Sequence, residues 1–234
     1  MSGCRRGFIP TDEKEFNTDS VALLRRAQKD ILYLLEHGYK IKPASTFVGN
    51  HYMLSERQRM AVVRATATME MLTLREKKRL DLSDAPKQVF IDGFNVIITL
   101  EVALSNSTLI RCMDKTIRDL AGLRGTYRII DKTEKAIRLI GEELELLGCE
   151  EAVVYLDAPV SNSGRLKQKL QEVLKPFPLL TRVELVDNAD VILQKLGNVI
   201  TQDAIILNQC DSWINLTTDI IASRLPGIQL VELD

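Results

Sequence analysis

Five aspartates stand where short apolar runs stop: Asp92 in VFIDGFNVI, Asp157 in VVYLDAP, Asp187 and Asp190 in VELVDNADVIL, and Asp203 in VITQDAII. If those runs are parallel strands, their carboxyl ends border one crevice, the place where open α/β sheets bind ligands. Carboxylates gathered there raise one another's pKa unless a cation lies among them. A hard divalent ion, Mg²⁺ or Mn²⁺, takes oxygen ligands and keeps water in its remaining positions. That combination suits phosphodiester hydrolysis, since the ion acidifies the attacking water and stabilises charge on the phosphoryl oxygens. Each aspartate alone has a plainer reading. Asp92-Gly93 and Asp157-Ala158-Pro159 are turn-like, Asp187 or Asp190 could cap a helix, and Asp203 starts a helix on either account. Those readings leave the common edge unexplained. Of the close pair, Asp190 is the expected ligand and Asp187 either the cap or a support behind the ligands.

The strands and helices around these acids are legible in the periodicity. Apolar runs rich in Val and Ile at 88–92, 152–156, 182–186, 197–200 and 228–232 read as strands, with helical patterns between them. This alternation, with runs apolar on both faces, predicts a parallel sheet covered on both sides. The clearest helix is 133–148, with Ala136, Ile137, Ile140, Leu144 and Leu147 on one face and Gly148 at its end. Ahead of the sheet, Val21, Leu24, Ala27, Ile31, Leu34 and Leu35 predict an amphipathic helix over 20–35. GYKIKPASTFVGNHY then reads as a loop. Ser55 and Gln58 have the spacing of a capping box and predict a second, long helix running to about Leu80. DLSDAPK breaks the pattern, so residues 1–84 read as a small basic α-helical domain and 85–234 as an α/β domain.

At the acidic segments the sequence resembles the PIN-like ribonuclease superfamily, and especially its NYN branch. IDGFNVI is similar to the family's opening D-x-x-N segment, YLDAP to a second strand-terminal aspartate, ADVILQK to an acid before a hydrophobic helix, and VITQDAII to the closing T/S-x-D segment. The resemblance implies a PIN-like (Rossmannoid) fold with Asp92, Asp157, Asp190 and Asp203 as metal carboxylates. It further implies that Asn95 orients metal or substrate and that Thr201 supports the last loop. One place departs from the pattern: where NYN proteins often carry a second acid two residues after the last, this chain has Ile205. The whole-chain organisation, helices first and a PIN-like region after, also resembles a family of uncharacterised archaeal proteins.

Basic and small polar residues are the candidates for substrate contacts. SNSGRLKQK places Ser161, Asn162 and Ser163 ahead of a basic helix, whose first N–H groups can hold a phosphate or simply be capped. RCMDKTIRDLAGLRGTYR, with Asp114, Asp119, Arg118 and Arg124, reads as a solvated helix and glycine turn that could line a strand-binding groove. In the front region Arg57 and Arg64 accompany His51 and Tyr52, a mixture able to grip phosphates while stacking a base.

Bulk properties bound these readings. The 234 residues carry a net charge of −1, but residues 1–80 hold 15 Lys/Arg against 9 Asp/Glu and the remaining 154 hold 16 against 23. The front is thus +6 and the back −7, compatible with a polyanion partner at one end and gathered carboxylates at the other. No run is apolar enough to cross a bilayer and MSGCRRGFIPTDEKEF lacks a secretory h-region, so a cytoplasmic location is expected. Cys4, Cys112, Cys149 and Cys210 are scattered and read as buried thiols. The expectation is a metal-dependent nuclease acting on RNA, possible as a homodimer, with two alternatives: an inactive PIN-like RNA-binding or scaffolding module, and a small-molecule phosphohydrolase. The sequence lacks G-x-x-x-x-G-K-[ST] and G-x-G-x-x-G, which disfavours nucleoside-triphosphate and dinucleotide sites.

Overall fold

A computed structural model describes residues 4–84, 86–122, 125–228 and 230–233. The front of the chain is helical: α1 (Asp12–Glu15), α2 (Thr18–Glu36), α3 (Ile41–His51), α4 (Glu56–Ala65) and α5 (Met69–Lys78). α2 starts at Asn17, whose side chain accepts from the Ser20 amide, and α4 has the expected capping box between Ser55 and Gln58. Two expectations fail here. The segment read as a loop is α3, because Pro43 lies in the first turn, where a helix needs no amide from it. The single helix expected to run to Leu80 is two, because Thr66 donates its hydroxyl back to the Val62 carbonyl and Thr68 caps a new start through the Met71 amide.

The rest of the chain runs β1 (Gln88–Asp92), α6 (Gly93–Leu104), β2 (Leu109–Arg111), β3 (Ile117–Asp119), α7 (Thr133–Leu146), β4 (Glu151–Asp157), α8 (Ser163–Leu174), β5 (Leu180–Val186), α9 (Ala189–Leu193), β6 (Val199–Ile200), α10 (Ala204–Gln209), β7 (Trp213–Ile214), α11 (Leu216–Arg224) and β8 (Leu230–Glu232). β5, β4, β1, β6 and β7 form, in that order, one parallel sheet, so the expected α/β architecture holds. Val89 and Ile91 of β1 are fully buried at its centre. Helix α6 enters so close to β4 that a Cβ on Gly93 would stand 2.6 Å from Leu156 and 2.9 Å from the Tyr155 carbonyl, which explains the glycine after Asp92.

A second sheet, β3-β2-β8, pairs β2 antiparallel with β3 and parallel with β8. It replaces the solvated helix expected over part of 111–128: Asp114 and Arg118 are buried, and Lys115 takes a positive φ of 66° at the turn. This small sheet also takes the last expected strand, β8. Its outer face joins the front helices in one core, where Leu24, Ile31, Val48 and Val62 lie with Ile110, Cys112, Leu120, Val231 and Leu233. The composition break at 84/85 therefore separates two textures that share buried surface, with a short 3-10 turn, Leu82–Asp84, between them. Among the described residues no helix is long and apolar enough to cross a membrane. Cys112, Cys149 and Cys210 are buried thiols, while Cys4 is exposed.

Candidate active site

Asp92 ends β1 at the carboxyl edge of the large sheet and is 7% exposed. It occupies the N-cap position of α6, yet its side chain makes no cap bond. Instead its Oδ2 accepts from the Thr201 hydroxyl at 2.7 Å, across the gap to the loop that follows β6. That loop is tied twice more: Asn95 Oδ1 accepts from the Gln202 amide at 2.8 Å, and the Asp203 amide donates to Thr201 Oγ1 at 3.0 Å. The D-x-x-N and T-x-D segments thus form one strapped unit at the ends of neighbouring strands.

On the other side of β1, Asp157 ends β4 and its Oδ1 accepts from the Ala189 amide at 2.9 Å, fixing the start of α9. Asp190 stands half-buried in the first turn of that helix. The cap of α9 is Asn188, which accepts from the Val191 amide, so Asp187 does not have the capping role expected of it and is exposed. Asp203 caps α10 through the Ile205 and Ile206 amides at 2.7 and 3.2 Å.

Electrostatics connects these acids. Burial pushes the Asp92 carboxyl up to about 7; the Thr201 hydroxyl opposes that rise, while the charges of Asp190 and Asp203 add to it. Burial also raises Asp190, followed by the charges of Asp203 and Asp157. Asp92, Asp190 and Asp203 therefore feel one another, and Asp157 joins through Asp190. They converge on one crevice without meeting: among the described residues, no three His, Cys, Asp or Glu side chains gather closely enough to hold a metal ion. The acids of this edge offer carboxylate oxygens, the ligand chemistry that Mg²⁺ or Mn²⁺ requires, while Thr201 and Asn95 are bonded within the protein.

The expected substrate residues fare unevenly. Ser161, Asn162 and Ser163 lie between β4 and α8, but their side chains bond to the carbonyls of Gly125, Tyr127 and Ala158. Arg57 is committed inside the protein, to Asp12 and to the carbonyls of Gly7 and Leu120, and is withdrawn from any bound strand. Arg64 is tied to Asp119 through both its carbonyl and its carboxylate. Thr201 is fully buried and acts on Asp92. Arg124 lies outside the described residues.

One cluster beside the site was not expected. Arg75 of α5, 3% exposed, bonds Asp114 Oδ2 at 2.5 Å, Asn208 Oδ1 at 2.8 Å and the Ala204 carbonyl at 3.4 Å. Lys78 donates to the Asn208 carbonyl at 3.0 Å. Asp114 also pairs with Arg118, which feels the charge of Asp203. Helix α10, whose cap is Asp203, is thereby clamped from behind by the front helices. The basic run REKK at 75–78 carried no signal that its arginine would be buried.

Similarity searches add family membership to this geometry. The family described as "Domain of unknown function (DUF5616)" matches residues 82–219, more than half of the chain. That described as "Protein of unknown function (DUF434)" matches residues 23–78. The chain is 36% identical over 203 residues to uncharacterized protein MJ0935 of Methanocaldococcus jannaschii, covering 86% of this chain and 96% of that one. No solved structure matches it.

Proposed function

We propose that this chain, which belongs to the DUF5616 family, is a divalent-metal-dependent nuclease of PIN-like architecture that hydrolyses RNA phosphodiester bonds. The observation that carries this reading is the placement of Asp92, buried at the carboxyl edge of a parallel sheet with Asp157, Asp190 and Asp203 at the ends of neighbouring elements; burial raises its carboxyl and the charges of Asp190 and Asp203 add to the rise. Carboxylates held together against their own repulsion are what a cation relieves. Asp92, Asp190 and Asp203 would hold Mg²⁺ or Mn²⁺, with Asp157 bordering them through Asp190. A bound ion would acidify the attacking water and neutralise charge on the phosphoryl oxygens.

The chain's own groups prepare that site. Thr201 fixes one oxygen of Asp92 by donating its hydroxyl to it. Asn95 locks the 201–203 loop, so Asp203 is held in register with Asp92. Asp157 anchors α9 and with it the position of Asp190. The scattered free thiols support a cytoplasmic setting.

The test is cleavage of labelled single-stranded RNA in Mn²⁺ by the wild type and Asp92→Asn. Metal-dependent cleavage by the wild type alone is the expected result; equal cleavage by both proteins defeats the assignment. A second reading, an RNA-binding or scaffolding module of the same shape that does not cut, is favoured by two observations. No three of the described acids gather at coordinating distance, and an exposed Ile205 stands where the NYN pattern often has another acid. RNA binding without turnover in any divalent metal would select it.

A further inference from the structure

The arginines that the sequence offered for gripping a strand, Arg57 and Arg64, are bound within the protein, so a polyanion must be met elsewhere. The exposed flank of α5 offers another surface. Between α5 and the β2–β3 turn lies a cleft of about 440 Å³, lined by Leu72, Thr73, Glu76, Lys77, Met113 and Lys115 over a floor of Arg75 and Asp114. That volume is in the range of small-ligand sites. The floor is neutralised internally, Asp114 being held by both Arg75 and Arg118. At the rim, Lys77 and Lys115 are exposed, and Glu76 is 3.8 Å from Lys115.

Both ends of α5 are fixed to landmarks. Toward its C-terminal end, Arg75 reaches the carbonyl of Ala204, the residue after Asp203. At its start, the Met69 amide donates to Glu36 of α2 at 2.7 Å. There the turn from α2 to α3 exposes Tyr33 by 62% and Tyr39 by 59%, with Tyr33 packed on the His37 ring at 4.1 Å. Residues 25–42 carry five Lys/Arg against two Asp/Glu. Of those two acids, Asp30 is bonded to Tyr52 and Glu36 to α5. Exposed rings beside cations near one end of α5, and a lysine-rimmed cleft at the other beside α10, fit a strand with stackable bases and a charged backbone.

We propose that the flank of α5 is a binding track for single-stranded nucleic acid. Tyr33 and Tyr39 stack bases at its outer end. Lys77 and Lys115 meet phosphates in the cleft next to the acidic site. This proposal rests on the nuclease reading for its direction, but its test does not need cleavage.

The experiment measures fluorescence anisotropy of a labelled oligouridylate with Asp92→Asn protein, free of divalent metal, across a salt series. It is repeated with Lys77→Gln/Lys115→Gln and with Tyr33→Ala/Tyr39→Ala added; all four positions are exposed, so the fold is not at stake. The lysine pair is expected to weaken binding about tenfold and reduce the salt slope by roughly 1.4, as loss of two phosphate contacts to a single strand requires. The tyrosine pair is expected to weaken binding at least about fivefold with the slope unchanged. No binding by the parent, or equal binding by all three, overturns the track. A tyrosine variant that changes oligomeric state by light scattering while binding RNA normally also overturns it, marking the patch as a self-association surface. Wild-type cleavage is read separately: RNA binding that follows these variants without any cleavage refutes the nuclease and leaves the track standing.

Discussion

Asp92 carries opposing demands: β1 buries it, Thr201 anchors it, and Asp190 and Asp203 repel its charge. Its carboxyl is raised from 3.8 to about 7, so the folded chain keeps a proton that the unfolded chain has already released between those values. Stability without metal is therefore greatest below that window and falls as pH rises through about 7. Asp92→Asn, which can still accept from Thr201, should remove this dependence and raise unfolding free energy at about pH 8 by up to about 4 kcal/mol, while abolishing metal-dependent cleavage. Urea titrations of both proteins check it; a wild type with flat stability across the window and no gain in the variant contradict it. Asp203 separates charge from capping. Asp203→Asn keeps a good N-cap and should unfold like the wild type while losing cleavage, whereas Asp203→Ala should lose about 1 kcal/mol as well. That Asp92, Asn95, Thr201 and Asp203 lie at the ends of neighbouring strands was legible in the D-x-x-N and T-x-D segments; the bonds from Thr201 to Asp92 and from Gln202 to Asn95 were not, because spacing along the chain does not say which side chains pair across it. Asn188 was not, since an Asp-Asn-Ala-Asp run offers three possible caps and only the backbone path chooses among them.

Among the elements, α5 links the front of the chain to the site. Its buried arginine holds the carbonyl of Ala204 and the side chain of Asn208, and so sets where α10 and its cap Asp203 stand. Arg75→Met should destabilise the protein by about 3 kcal/mol, the order expected when one partner of a buried ion pair is removed. It should also speed amide hydrogen exchange in α10 more than in α8. Stability within about 0.5 kcal/mol of the wild type, or exchange spread evenly over the sheet, would show that the clamp does not act on α10. Sequence periodicity found α2, α7 and four strands of the large sheet, β1, β4, β5 and β6; it did not find β7, whose two residues are too short to show alternation. It missed the division of α4 from α5, because Thr66 and Thr68 fit a helical pattern until their hydroxyls bond the backbone. It also missed the β2–β3 hairpin: Asp114 and Arg118 are spaced like a helix pair, and three-residue strands show too little alternation to be distinguished.

For the whole molecule, the front helices and the small sheet stand or fall together. Removing residues 1–80 would uncover Ile110, Leu120, Val231 and Leu233, now packed against Leu24, Ile31 and Val62. The fragment 81–234 is expected to aggregate or expose dye-binding apolar surface; a monomeric fragment with native-like unfolding cooperativity would contradict the shared core. The break in composition at the linker was plain in the sequence, but the sharing of core across it was not, because either side of such a contact reads as an ordinary apolar face. The same joining brings α5 of the basic front part against α10, whose cap is Asp203, and on the proposed nuclease reading that contact would hold a polyanion beside the acids. The most direct test of that central claim is an anomalous-scattering map from crystals soaked in Mn²⁺. A peak about 2–2.5 Å from oxygens of Asp92, Asp190 and Asp203, drawing the three together, is the predicted result. A map with no peak there, or with manganese bound only elsewhere, would contradict it.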